Sequence, residues 1–193
     1  MLLLAAALSA LRIRAYYPAA CEDICFSIKG SITERVLCSF SDYSDKNAEL
    51  IKRAVICEYG ADGKPKRIYA DTAAINGISS FLALEAGKAV SECENEFELP
   101  LGNIFGSHAL SGKGPGIGLK IIPSGAAAYS VKSDFYGAGI NQTHYRVSVT
   151  VTLEYRCVAP FRELNDKIEL EYIISDTVIM GDIPEVLFFG GVS

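Results

Sequence analysis

Strict alternation of apolar and polar residues marks the second half of the chain. From Tyr145 to Cys157 the apolar residues occupy every second position, and charged or hydroxylated residues stand between them. Thirteen residues with a period of two predict one long strand with a buried face and a face in water. Shorter runs with the same period predict neighbouring strands near residues 117–121, 127–135 and 168–174.

The first half of the chain shows the helical period instead. Apolar residues recur every three or four positions over residues 21–40 and again over residues 71–94, which predicts two amphipathic helices. Asp71 or Thr72 is the predicted N-cap of the second helix. Between the helices, two β-prone runs flank residues 60–65, whose Asp-Gly pair is typical of a hairpin turn.

Helices and strands are therefore segregated along the chain, which predicts the α+β class. We expect an N-terminal helix, a β-hairpin and a second long helix packed on a C-terminal antiparallel sheet of three or four strands. The glycine-rich stretch 101–118 divides a helix–hairpin–helix half (19–100) from a β half (101–193). The two halves are expected to form one compact domain, preceded by the remnant of an N-terminal membrane anchor and a juxtamembrane segment (1–18).

The first eleven residues are almost wholly apolar. A membrane-spanning helix needs about 20 such residues, so this stretch alone is short. It predicts either the remnant of a longer membrane anchor or the buried start of the first helix, and we favour the remnant. Arg12 and Arg14 follow, and the positive-inside tendency taken alone would place the rest of the chain in the cytoplasm.

The net charge and the cysteine pattern limit which partners, metals and cofactors the sequence predicts. The net charge is −5 and neither half is basic, so we expect no nucleic-acid partner. The six cysteines form no C-x-x-C motif, and the two histidines are His108 and His144. This pattern predicts no metal site and no cofactor. Buried free thiols are favoured over disulfides, although the spacing leaves both open.

Three groups of residues are candidates for binding or catalysis. The Gly-Lys-Gly of Ser111–Gly116 is followed by proline and a predicted strand, so it does not form a phosphate-binding loop. The carboxylates near Glu96 are more typical of a solvated charge run than of a glycosidase pair. His144 lies at a hairpin base with Asp134 on the partner strand, where a His–Asp contact would favour catalysis or ligand binding.

Several strings occur together and in order, and they resemble the YunB family of sporulation proteins. They are Asp71–Asn76, Leu101–Ser107, Gly112–Pro115, Gly137–Arg146 and Ile179–Glu185. The likeness covers residues 20–187. It implies a single N-terminal membrane anchor, a domain outside the cytoplasm, and a role in endospore formation in the mother-cell compartment. The family carries no established reaction, cofactor or catalytic residue to this chain.

Together these observations predict a single-pass, membrane-tethered extracytoplasmic protein that is required for endospore formation. We expect a non-enzymatic structural or assembly factor of the spore envelope, which contacts envelope proteins or self-associates through a sheet edge or a helix face. The alternative is a small wall-active hydrolase or a ligand-binding module that uses the region of His144 and Asp134. In either case the candidate recognition surface consists of Gly139, Asn141, Gln142, His144 and Arg146.

Overall fold

The structure is a computed structural model of the 193-residue chain. It describes the backbone of residues 2–61, 63, 65–106, 109–139, 142–180 and 185–189, and the side chains of these residues except for 2–9, 138, 139, 180 and 185–189.

Four helices occur in the described part of the chain. They are α1 (Leu2–Lys46), α2 (Ala48–Ala54), α3 (Thr72–Glu92) and α4 (Leu101–Ile104). The helix predicted over 21–40 is therefore the central part of a longer one, which contains Pro18. Within the described residues, no helix combines the length and the apolarity that a membrane crossing requires.

Nine strands are described, in three sheets. β1 (Val55–Tyr59) and β2 (Pro65–Asp71) form the predicted antiparallel hairpin. β3 (Glu98–Pro100) pairs with β4 (Gly116–Gly118). The third and largest sheet has β7 (Gln142–Ala159) at its centre. Its neighbours are β5 (Lys120–Pro123), β6 (Ala128–Gly139) and β8 (Arg162–Met180). This four-stranded antiparallel sheet and the helices confirm the predicted α+β class.

The ninth strand, β9 (Glu185–Phe189), was not predicted from the sequence. It adds to the hairpin in parallel to β2, from Arg67 opposite Glu185 to Asp71 opposite Phe189. The Gly-Asp-Ile-Pro part of the string Ile179–Glu185 lies at 181–184, outside the described residues. A parallel partner more than a hundred residues away leaves no local signal in the sequence, which explains why β9 was missed.

The chain forms two compact units, each assembled from three segments. Unit 1 contains Met1–Val36, Gly87–Ala126 and Leu153–Ile168, and unit 2 contains Leu37–Ala86, Ala127–Thr152 and Glu169–Ser193.

In unit 1 the apolar stripe of α1 is buried at the predicted helical spacing, by Cys21, Cys25, Ile28, Ile32 and Val36. The α1 stripe shares its core with residues of β5 and the end of β7, including Ile121, Leu153, Tyr155 and Cys157. In unit 2 the core side chains come from α3 and the first part of β7, including Ile75, Ile78, Leu82, Tyr145, Val147, Val149 and Val151. The period-two and period-3.6 patterns thus mark buried faces correctly.

Candidate functional site

The strands β6 and β7 form a hairpin in unit 2 that carries most of the predicted recognition surface. In their antiparallel register Phe135 faces Tyr145, Tyr136 faces His144 and Asp134 faces Arg146. The register shifts between Gly137 and Gly139, next to the turn. The glycines permit this irregularity because they carry no Cβ.

The structure places the predicted recognition residues in different environments. His144 and Arg146 are partly buried and lie close together, whereas Gln142 is exposed and pairs with Gly139 at the hairpin end. Asn141 lies outside the described residues, as do Ser107 and His108. The described site is therefore built around His144 and Arg146, and two further residues complete it.

The first additional residue is Asp176, from β8. Its Oδ1 atom lies 2.7 Å from His144 Nδ1. Its Oδ2 atom accepts hydrogen bonds from the Tyr136 hydroxyl at 2.9 Å and from Arg146, through Nε at 3.0 Å and Nη2 at 2.6 Å. One carboxylate thus joins side chains of β6 and β7 to β8.

The bonds to Asp176 favour its charged form. The hydrogen bonds from Arg146 and then from His144 lower the pKa of Asp176 to about 2, against an ordinary value of 3.8, and outweigh the opposing effect of desolvation. Arg146 in turn has a raised pKa because it donates to Asp176. At neutral pH the pair is therefore an ion pair with good geometry, with side chains 35% and 27% exposed.

The second additional residue is Tyr136 of β6, whose ring contacts both His144 and Arg146. The ring stacks on that of His144, with centroids 4.9 Å apart and planes 25° from parallel. The guanidinium carbon of Arg146 lies 4.8 Å from the Tyr136 ring centroid, and Arg146 Nη2 donates to the tyrosine hydroxyl at 2.6 Å. The cation over the ring face adds attraction to these hydrogen bonds.

The predicted contact between His144 and Asp134 is replaced by one with Asp176. Asp134 lies on the same sheet face, directly opposite Arg146, but it forms an ion pair with Lys132 at 2.8 Å. The sequence missed Asp176 because the register of β7 against β8 depends on two strands of 18 and 19 residues. Its signal was a lone carboxylate within the segment 172–180 of β8, whose other residues are apolar or carry a hydroxyl.

The cluster has one feature of a general base, since a carboxylate orients an imidazole through Nδ1. A ligand would then meet Nε2, on the far side of the ring. The side chains that bond to His144 Nδ1 are Tyr136 and Asp176, and neither is a serine or cysteine nucleophile. Chemically the arrangement is suited to presenting a rigid, mixed aromatic and charged surface.

The edge of the same sheet carries an exposed apolar surface. Among the described strands β6 pairs only with β7, and every residue from 128 to 135 is exposed. The alternation places apolar side chains on one face of β6, with exposures of 41% for Tyr129, 42% for Val131 and 38% for Phe135. An open outer strand of this length is a ready template for pairing with another strand.

The other catalytic candidates are engaged in separate contacts in unit 1. Glu96 forms an ion pair with Arg35, and Glu94 pairs with Lys120 at 3.0 Å. Each carboxylate is thus paired with its own cation at the surface. This arrangement is typical of a solvated charge run.

An open polar depression of about 650 Å³ also lies in unit 1, around Tyr155 and Asp166. Burial would raise the pKa of Asp166, but hydrogen bonds from Lys29 and from the Lys167 backbone amide lower it. Lys29 Nζ lies 3.0 Å from the carboxylate, and the Tyr155 hydroxyl donates to it at 3.3 Å. Asp166 therefore joins α1 to the sheet through its contacts with Lys29 and Tyr155.

The six cysteines are free thiols, and four of them are buried: Cys21, Cys25, Cys93 and Cys157. A hydrogen bond between Cys25 and Cys157 raises the pKa of Cys25 and lowers that of Cys157. Within the described residues, no three histidine, cysteine or acidic side chains are grouped so that they could hold a metal ion.

Comparison with known proteins identifies one family. The model of the family described as Sporulation protein YunB (Spo_YunB) matches residues 96–186, a range that contains Tyr136, His144, Arg146 and Asp176. The comparison with curated proteins gave no match. The comparison with solved structures gave none either. The match over residues 96–186 supports the YunB family resemblance that the sequence motifs predicted.

Proposed function

We propose that this protein is an assembly factor of the spore envelope, tethered to the mother-cell membrane with its bulk outside the cytoplasm and without an enzymatic role. The match of residues 96–186 to the YunB family model implies a sporulation-related role. The assembly role rests on one observation, the open outer strand β6 with its exposed Tyr129, Val131 and Phe135. Exposed apolar side chains on a strand whose outer edge pairs with no other described strand favour association with protein partners.

Val131 offers a direct test of the assembly role. It is 42% exposed on β6, and Leu50 on α2 is equally exposed and serves as the matched control. Val131→Lys places a charge on the proposed contact surface without burying it, so the protein should accumulate normally while the yield of heat-resistant spores falls. Leu50→Lys should leave the yield unchanged. Normal spore formation by Val131→Lys would contradict the proposal.

Membrane proximity is supported by side chains at the N-terminal end of unit 1. Leu11, Ile13 and Tyr16 of α1 are exposed, and Phe161 is fully exposed at the turn between β7 and β8. The Tyr17 hydroxyl donates to the Pro160 carbonyl and holds that turn against α1. Apolar and aromatic side chains exposed together, with Arg12 and Arg14 beside them, are typical of segments next to a membrane.

The exposed thiol of Cys38 can test the orientation. A membrane-impermeant maleimide should label the protein in intact sporulating cells as strongly as in lysed cells, and Cys38→Ser should remove most of the label. Labelling that needs lysis would contradict the extracytoplasmic placement.

The pairing of His144 with Asp176 favours a second candidate, the wall-active hydrolase or ligand-binding module. This alternative predicts that His144→Ala abolishes spore formation while the protein folds and accumulates normally. The assembly role through β6 predicts little change, because His144 lies on the opposite face of the hairpin from Val131. Spore yield together with the unfolding midpoint of His144→Ala separates the two.

A further inference from the structure

Both faces of the strand β6 carry exposed side chains, and the pattern of these side chains indicates a partner. Its odd-numbered positions Tyr129, Val131, Ser133 and Phe135 form the mainly apolar face. Its even-numbered positions include Lys132 and Asp134, whose side chains are 71% and 52% exposed. A cation and an anion two residues apart on one exposed edge strand make that edge electrostatically complementary to itself in the antiparallel direction.

We propose that two copies of this protein associate by antiparallel pairing of their β6 strands, about a two-fold axis at Ser133. The inference rests on the proposed assembly role and names the partner of that same surface, a second copy of the chain. Each Lys132 then lies directly opposite Asp134 of the other copy, on the polar face. The contact is isologous, so both opposite-charge pairs form at once.

The apolar face supports the same register. With Ser133 opposite Ser133 of the second copy, Val131 faces Phe135 and Tyr129 faces Gly137. Opposite residues of an antiparallel pair have their side chains on the same side, so each half-exposed valine gains an aromatic neighbour. A Cβ built on Gly137 would meet no atom within 4 Å, which leaves room for the Tyr129 ring to lie over it.

Other registers lose these contacts. An axis at Lys132 places the two lysines opposite each other, and an axis at Asp134 does the same for the two aspartates. An axis at Val131 or Phe135 leaves both charges facing uncharged residues. An axis between two residues places the apolar face of one copy on the polar side of the other, because side chains alternate with period two. The charges and the apolar face thus agree on one register.

Charge reversal tests the register in the 193-residue chain, with association followed by sedimentation velocity over a range of concentrations. Lys132→Asp places aspartate opposite Asp134 twice, and Asp134→Lys places lysine opposite Lys132 twice. Each single variant should raise the dimer dissociation constant at least about tenfold, since like charges directly opposite are unfavourable. Lys52→Asp, which breaks the exposed pair with Glu49 on α2, is the control and should dimerise normally.

Two combinations make the test specific. An equimolar mixture of Lys132→Asp and Asp134→Lys should form a heterodimer, because both cross-strand pairs are then attractive. The chain that carries both changes should recover the homodimer. Loss of association in the single variants without recovery in either combination would overturn the proposed register.

Crosslinking locates the axis independently. In a background with Cys38→Ser and Cys57→Ser, Ser133→Cys places two thiols opposite each other with Cβ atoms about 5 Å apart, so a short bismaleimide should join the copies. Ser130→Cys is the control, because its thiols lie about 20 Å apart in this register. Efficient crosslinking of Ser130→Cys but not of Ser133→Cys would overturn the proposal.

The outcomes separate this inference from the proposed function. A chain that stays monomeric, combined with the loss of spores in Val131→Lys, overturns the pairing of copies while a different protein partner at β6 stands. A dimer that follows the charge-reversal pattern, combined with normal spore formation by both single reversals, supports the pairing and contradicts the assembly role.

Discussion

The strands β6 and β7 are neighbours in one sheet, and both alternate apolar with polar residues. Their apolar faces nevertheless differ in burial. Val149 of β7 is fully buried, whereas Val131, its direct partner on β6, is 42% exposed. The two side chains point to the same side of the sheet. Alternation therefore identifies the face of a strand, but whether that face is covered depends on its position in the sheet.

The polar faces of the two strands differ in the same way. His144 and Arg146 of β7 reach Asp176 on β8 and form a connected cluster. Lys132 and Asp134 of β6 have only each other as ion-pair partners among the described residues, and both are largely exposed. The central strand uses its polar side chains to join three strands, whereas of the polar side chains on this face of the outer strand only Tyr136 enters the cluster, and Lys132 and Asp134 stay exposed.

The largest expected contrast comes from one substitution made in each strand. Val149→Asp buries a carboxylate at a fully buried position and should lower the unfolding free energy by at least about 4 kcal/mol. Val131→Asp, at its exposed partner, should cost less than about 1 kcal/mol. Urea unfolding at low protein concentration measures both. Equal losses would show that the β6 face is covered.

The next contrast concerns the polar faces. Asp176→Asn leaves Arg146 and His144 without their charged acceptor, so it should lower the unfolding free energy by about 1–2 kcal/mol. Asp134→Asn removes only an exposed ion pair and should cost less than about 0.5 kcal/mol. If the two variants unfolded at the same urea concentration, the cluster would contribute nothing beyond a surface pair.

Acid should lower the unfolding free energy by protonating the Asp176 carboxylate. Asp176 has a pKa of about 2 in the folded protein and an ordinary value of 3.8. Because the folded-state pKa is depressed, its contribution to stability is fully present above about pH 4 and is lost as the pH falls toward 2. The fall in unfolding free energy over this range should be smaller in Asp176→Asn than in the unchanged protein. An equal fall in both proteins would contradict this assignment.

Local patterns predicted the elements of this fold well, because each pattern lies within the element it describes. Asp71 caps α3 as expected, since its Oδ1 atom accepts hydrogen bonds from the amides of Ala73 and Ala74. The alternation over 145–157 lies within β7. The site required more, because it depends on which residues of distant strands lie side by side. The sequence therefore identified His144 and Arg146 but selected Asp134, on the adjacent strand, in place of Asp176.

The smallest expected difference in unfolding free energy concerns two tyrosine hydroxyls, one on the exposed strand β6 and one on the buried strand β7. On β6, the Tyr129 hydroxyl lies 3.4 Å from Ser80 Oγ of α3 at an exposed position. On β7, the hydroxyl of the buried Tyr155 donates to Asp166 at 3.3 Å. Tyr129→Phe should change the unfolding free energy by less than about 0.5 kcal/mol, because water can replace the lost contact.

Tyr155→Phe should cost about 1 kcal/mol, because it removes a hydrogen bond to a charged carboxylate. Urea midpoints of the two variants compare the strands directly. A larger loss for Tyr129→Phe would mean that α3 packs firmly over the outer strand. In that case β6 would belong to the covered core, and its apolar face would be closed to a second copy of the chain.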